Sequence, residues 1–147
     1  MTMKKLLFLD VDGVLNNSES NFNFHPPSLL LLSNIVAKTQ CDIVLSSTWR
    51  LFQETKNELE AVFIEHNIPK WIDCTPHIRG VDRSEEITNW LLGNVKCECK
   101  AIIIDDDQDA KVTKKLDLIE ILFIRTNVDK GLVADEARQI VEFFIVP

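Results

Sequence analysis

Asp10 and Asp12 stand one residue apart at the end of the apolar run Lys5-Leu6-Leu7-Phe8-Leu9. Residues i and i+2 of extended chain project to the same side, so both carboxylates can enter one crevice. Two carboxylates this close resist being ionised together. A cation beside one holds it as carboxylate while the other stays protonated, which yields a nucleophile and a general acid from one residue type. Gly13 then lets the chain turn sharply. A D-x-D-G string also suits a calcium loop, but the further EF-hand ligands are missing after Gly13.

Two more apolar runs end in oxygen-bearing side chains. Ile43-Val44-Leu45 delivers Ser46 and Ser47, and Ala101-Ile102-Ile103-Ile104 delivers Asp105-Asp106-Asp107-Gln108-Asp109. Adjacent carboxylates repel one another, and a hard cation with oxygen ligands relieves the repulsion. Thr126 follows a further apolar run.

The elements that must position these residues alternate between short apolar runs and helical patterns, the signature of a parallel sheet covered on both faces. Strands are predicted at Lys5 to Leu9, Asp42 to Leu45, Ile68 to Asp73, Lys100 to Ile104 and Ile119 to Ile124, with Pro69 confining the third to an edge. Helices are predicted at Pro26 to Gln40, Leu51 to His66, Ser84 to Leu92, Asp109 to Lys115 and Leu132 to Phe144. The expected fold is a three-layer α/β sandwich, a single domain over residues 1–147. Ligands of such folds bind beyond the C-terminal strand ends, where the strand order reverses. The polar strand ends converge there.

The composition agrees with a globular chain of 147 residues, 46% apolar and 27% charged, with Gly and Pro scarce at 4 and 5. A formal charge of −7 disfavours non-specific binding to a phosphate backbone. The four cysteines match neither a redox pair nor a paired zinc knuckle, so reduced thiols are expected. The first residues briefly imitate a signal peptide, but Asp10 and Asp12 interrupt the apolar run too early. No segment reaches the length of a membrane span, and a cytoplasmic protein without a membrane partner is expected.

Phe8-Leu9-Asp10-Val11-Asp12-Gly13-Val14-Leu15 resembles the first motif of the haloacid dehalogenase-like (HAD) phosphatase superfamily, an apolar strand followed by D-x-D-G-T/V-L. The resemblance implies a Rossmann-like sheet and a Mg²⁺-dependent phosphatase. In that family the first Asp attacks phosphorus and the second is acid and base, which would assign Asp10 and Asp12. The second motif, a strand ending in Ser or Thr that hydrogen-bonds the transferred phosphoryl group, would be Ser46, with Ser47 as the alternative. The third, a Lys or Arg that stabilises the phospho-aspartate, would be Arg83, with Arg79 and Lys100 as competitors. The fourth, an acidic strand end that binds Mg²⁺, places Asp106 at the usual ligand position with Asp105 beside it. A register shifted by one would favour Asp105 or bring in Asp109. The metal shell implied is Asp10, the backbone carbonyl of Asp12, Asp105 and Asp106.

Flanking residues resemble a narrower group of short phosphatase-like proteins, with related domains in RNA-repair fusions and a more distant likeness to polynucleotide end-healing phosphatases. They include Ser46-Ser47-Thr48-Trp49-Arg50 and Arg83-Ser84-Glu85-Glu86-Ile87. Arg50 would clamp a substrate phosphate, since its fork matches phosphate geometry, and Trp49 would stack on a base; the alternative for both is a helix-start pair packed against the core. The intervals between the motifs are too short for a large cap domain, so the site should be open to a nucleic-acid end or a small phosphorylated molecule. A phosphotransferase and a catalytically silent phosphate- or partner-binding module are the alternatives.

Overall fold

Strand β1 (Lys4–Leu9) is buried without alternation from Leu6 onward, and β4 (Cys99–Asp105) is buried at every residue. Strands that read as unbroken apolar runs belong at the centre of a parallel sheet, with both faces covered. The computed structural model, which describes residues 3–147, pairs these two strands directly, Leu9 opposite Ile104. Beside β1 lies β2 (Asp42–Leu45), then β3 (Asp73–Cys74), and beside β4 lies β5 (Ile119–Arg125). All pairs are parallel and the order is β3-β2-β1-β4-β5. The chain leaves β1 toward one edge and returns to start β4 on its other side. The reversal therefore falls between β1 and β4.

Alternation sorts the side chains onto two faces. Leu7, Leu9, Leu45, Ile102 and Ile104 join a core with residues of α1 (Pro26–Thr39), α2 (Gln53–Glu65) and α4 (Ala134–Ile145). Leu6, Phe8, Val44, Ala101 and Ile103 face Ile87, Trp90 and Leu91 of α3 (Arg83–Asn94). Among the described residues, three α-helices thus cover one face and a single α-helix the other. Helix α1 starts with Pro at its first positions and stops at Gln40, which takes a left-handed conformation and returns its N–H to Val36.

Two predicted elements differ. The third strand shrinks to Asp73–Cys74, because Pro69 lacks the N–H a ladder needs and pairing starts only at Ile72, which donates to Ile43 O. The helix predicted at Asp109 to Lys115 is only a short 3-10 turn, Gln108–Ala110. The Asp107 side chain caps it through Asp109 N, and the lysine-rich residues beyond present too little apolar surface to carry a helix on. Among the described residues, no helix is long and apolar enough to cross a membrane.

Candidate active site

Hydrogen bonding continues one residue past the strand ends. Asp10 N donates to Ile104 O, Ser46 N to Leu9 O, and Thr75 N to Leu45 O. Leu9, Leu45 and Ile104 face the three-helix core, so alternation turns the next residues, Asp10, Ser46 and Asp105, toward the α3 face. One register row therefore carries two carboxylates and a hydroxyl, each from a different strand.

Arg83 opens α3 and meets this row. Its Nη1 lies 3.2 Å from Asp10 Oδ1 and 2.7 Å from Asp105 Oδ2. The start of the helix is set by Asp82, whose side chain accepts from Glu85 N. Burial alone would weaken the Arg83 proton, but the facing carboxylates of Asp10 and Asp105 outweigh it and hold the guanidinium charged. The competitors lie elsewhere. Lys100 enters β4 at its opposite end and donates to Phe143 O at 2.8 Å, and Arg79 is exposed in the turn before α3.

Asp105 is fully buried, and both its oxygens have protein partners: Arg83 on one, the Asp107 N–H at 2.9 Å on the other. Asp106 is half-buried and freer. Asp10, Asp105 and Asp106 each bring a carboxylate oxygen within 4.8 Å of the others. Burial and the negative charge of Asp105 push Asp10 up to about 9, against the pull of Arg83. Burial also raises Asp106. Three converging hard oxygen donors, held at a cost in like-charge repulsion, fit a divalent cation such as Mg²⁺. Gly13 makes the convergence feasible. It sits at φ +79°, and a Cβ there would fall 2.6 Å from the Asp106 carboxyl carbon. Thr126 Oγ1 donates to Gly13 O at 2.6 Å and fixes that turn from β5.

Asp12 lies apart from the cluster and is exposed. Its Oδ1 accepts from Asn16 Nδ2 at 2.9 Å and its Oδ2 from Trp49 Nε1 at 3.2 Å. Asn16 was not singled out by sequence reasoning. Only its place four residues after Asp12, inside an Asn-rich stretch, pointed to it.

The Ser46 hydroxyl is fully buried without a hydrogen-bond partner. A buried orphan of this kind calls for an explanation, and a ligand oxygen supplies one. Ser47 Oγ instead accepts from Trp49 N at 3.1 Å and caps the 3-10 turn Thr48–Leu51. Arg50 turns inward. Nε donates to Thr75 O, Nη1 to Ser46 O and Ser47 O, and Nη2 to Pro76 O and Glu86 Oε1. All five of its N–H groups are engaged within the protein, so the phosphate clamp expected of Arg50 has no free donor.

A cavity of about 240 Å³ opens beside Arg83, lined also by Thr48, His77, Asp107 and Asp109. Residues 6–137 match the model of a family described as the HAD domain in Swiss Army Knife RNA repair proteins. No curated protein matches the chain.

Proposed function

The chain belongs to this family of HAD domains and is a HAD-like phosphatase, and we propose that it hydrolyses phosphomonoesters with Asp10 as nucleophile and Mg²⁺ as its metal. The observation that carries this reading is the single Arg83 nitrogen bridging Asp10 and Asp105, with Asp106 completing the carboxylate cluster. The Asp10, Asp105 and Asp106 carboxylates and the backbone carbonyl of Asp12 would hold the ion. When bound, Mg²⁺ supplies positive charge that keeps Asp10 ionised and screens it from the incoming phosphate.

Asp10 attacks phosphorus in line, forming an Asp10–phosphorus bond as the ester P–O bond breaks. The Ser46 hydroxyl donates to a transferring oxygen, and Arg83 offsets the charge gathered around Asp10. Asp12 gives its proton to the departing oxygen. It then takes a proton from the water that attacks phosphorus, freeing Asp10 and inorganic phosphate. Ser47 and Arg50 act beneath the site, holding the turn that follows Ser46.

For the substrate we read a phosphorylated nucleic-acid end. The family's occurrence in RNA repair proteins supports it, as does a crevice bordered by an open cavity. The −7 charge disfavours contact along a phosphate backbone, which leaves the terminal phosphate as the part of the nucleic acid the site would hold. Free thiols at Cys41, Cys74, Cys97 and Cys99 support a reducing, cytoplasmic setting.

The test is Mg²⁺-dependent phosphate release from p-nitrophenyl phosphate, then from 3′- and 5′-phosphorylated oligonucleotides and free nucleotides. Asp10→Asn should abolish release from all of them. Retained turnover would reject Asp10 as nucleophile, and a preference for free nucleotides would reject the nucleic-acid end.

A further inference from the structure

Asp12 poses a problem of aim. It stands exposed on a turn, yet must meet the leaving oxygen and later a water at the same phosphorus. We propose that Trp49 and Asn16 are positioning residues that hold the Asp12 carboxylate in line with the departing group. The inference rests on the reading of Asp12 as acid and base.

Each Asp12 oxygen takes one donor, Asn16 Nδ2 at 2.9 Å and Trp49 Nε1 at 3.2 Å, so the plane of the carboxylate is set from two sides. Both donors are fixed in turn. Asn16 is buried, and its Oδ1 accepts from Gly13 N at 2.9 Å, which leaves its amide one orientation, with Nδ2 toward Asp12. The Trp49 indole packs edge-to-face on Phe24, with ring centroids 5.4 Å apart. Its backbone N–H is held by Ser47 Oγ, and its carbonyl accepts from Thr55 Oγ1 at 2.6 Å. Ionised carboxylates have about four lone-pair sites, so two remain free to exchange a proton.

This assigns Trp49 a role other than the base platform expected from the sequence. The one polar hydrogen of its side chain already points at Asp12, and Phe24 packs against its ring. The indole also joins two parts of the site, since only Thr48 separates it from Ser46-Ser47 in the chain. The segment after β2 thus carries both the hydroxyl that would contact the phosphoryl group and the indole that holds the carboxylate moving its proton.

The experiment compares kcat/KM, which reports the phosphoryl-transfer step, for a good leaving group and a poor one. p-Nitrophenyl phosphate needs little protonation on departure, whereas glycerol 2-phosphate needs it fully. Trp49→Phe keeps a ring against Phe24 and removes the N–H. We expect kcat/KM for glycerol 2-phosphate to fall roughly 10- to 100-fold, the scale of a misplaced catalytic group, and that for p-nitrophenyl phosphate to fall no more than about 3-fold. Because both substrates meet the same folded fraction, partial unfolding leaves their ratio unchanged. Asp12→Asn separates the two readings. If it shows no leaving-group dependence, the assignment of Asp12 itself is wrong. If it shows one and Trp49→Phe does not, positioning by Trp49 is wrong. Equal losses on both small substrates would make the indole a packing residue. A loss confined to oligonucleotides would make it a base platform. Either result overturns the proposal.

Discussion

Arg83 and Asp10 meet across 3.2 Å at the start of α3 and the end of β1, and the same guanidinium nitrogen reaches Asp105 at 2.7 Å. One cation therefore balances two carboxylates that strand register forces together. Its removal should be felt in stability and in rate.

Arg83→Gln leaves both buried carboxylates without their partner. Breaking a pair of this kind costs about 3 kcal/mol, so a clear fall in Tm is expected together with a loss of activity of roughly 100-fold. Arg83→Lys keeps a charge near both carboxylates and should retain more of each. Thermal melting and steady-state kinetics on the two variants check this.

Asp10 makes metal-free stability depend on pH. Its folded-state value, about 9, lies above the ordinary carboxylate value of 3.8 because of burial first and Asp105 second. A raised value means that the folded state holds the proton more tightly, so the contribution to stability is full below 3.8 and is lost as pH rises toward 9. Asp10→Asn cannot lose it. In chelator, the variant should match the wild type near pH 4 and melt at a higher temperature near pH 8. Added Mg²⁺ should raise the wild-type Tm at pH 8 more than that of the variant.

Ser46→Ala should divide stability from function. The hydroxyl is buried and unpartnered, so its removal deletes an unsatisfied polar group and leaves the Tm unchanged or slightly higher. Activity should fall about 100- to 1,000-fold, the order seen when one donor to a transition-state oxygen is removed. A lower Tm with intact turnover would show that the hydroxyl serves the fold.

Arg50 should behave in the opposite way. Its ion pair with Glu86 is almost wholly buried, so Arg50→Met should destabilise by about 3 kcal/mol, leaving Glu86 without its arginine and held only by the Ile78 N–H and His77 on its other oxygen. Adding Glu86→Leu should recover part of that loss. The KM of the Arg50→Met, Glu86→Leu double variant for p-nitrophenyl phosphate should stay within about 3-fold of wild type, whereas a residue clamping phosphate would shift it 10-fold or more.

The strands were legible because β1 and β4 are buried on both faces and so read as unbroken apolar runs, each ending in aspartates. Their neighbour relation follows from the crossover order. The direction of a long side chain is different. The Arg50 fork points inward because Thr75, Pro76 and Glu86 offer acceptors from segments far along the chain, and local sequence holds no trace of that. Asn16 was hidden for a similar reason. Its value lies in linking Gly13 N to Asp12, which requires a turn whose shape Thr126 fixes from β5. The short third strand and the missing helix after Asp109 are cases where local pattern lost to pairing and capping.

The register row that aligns Asp10, Ser46 and Asp105 also dictates which changes in chain length this molecule tolerates. One residue inserted or deleted within β1, β2 or β4 slips the pleat and carries the reactive side chain from the α3 face to the three-helix face. The exposed residues at 69–70 and the lysine-rich stretch at 111–115 lie outside the strands, where added residues lengthen a loop and move no strand end. Descendants of this fold can diversify by growing loops at those points. Inside the three strands they are confined to substitution.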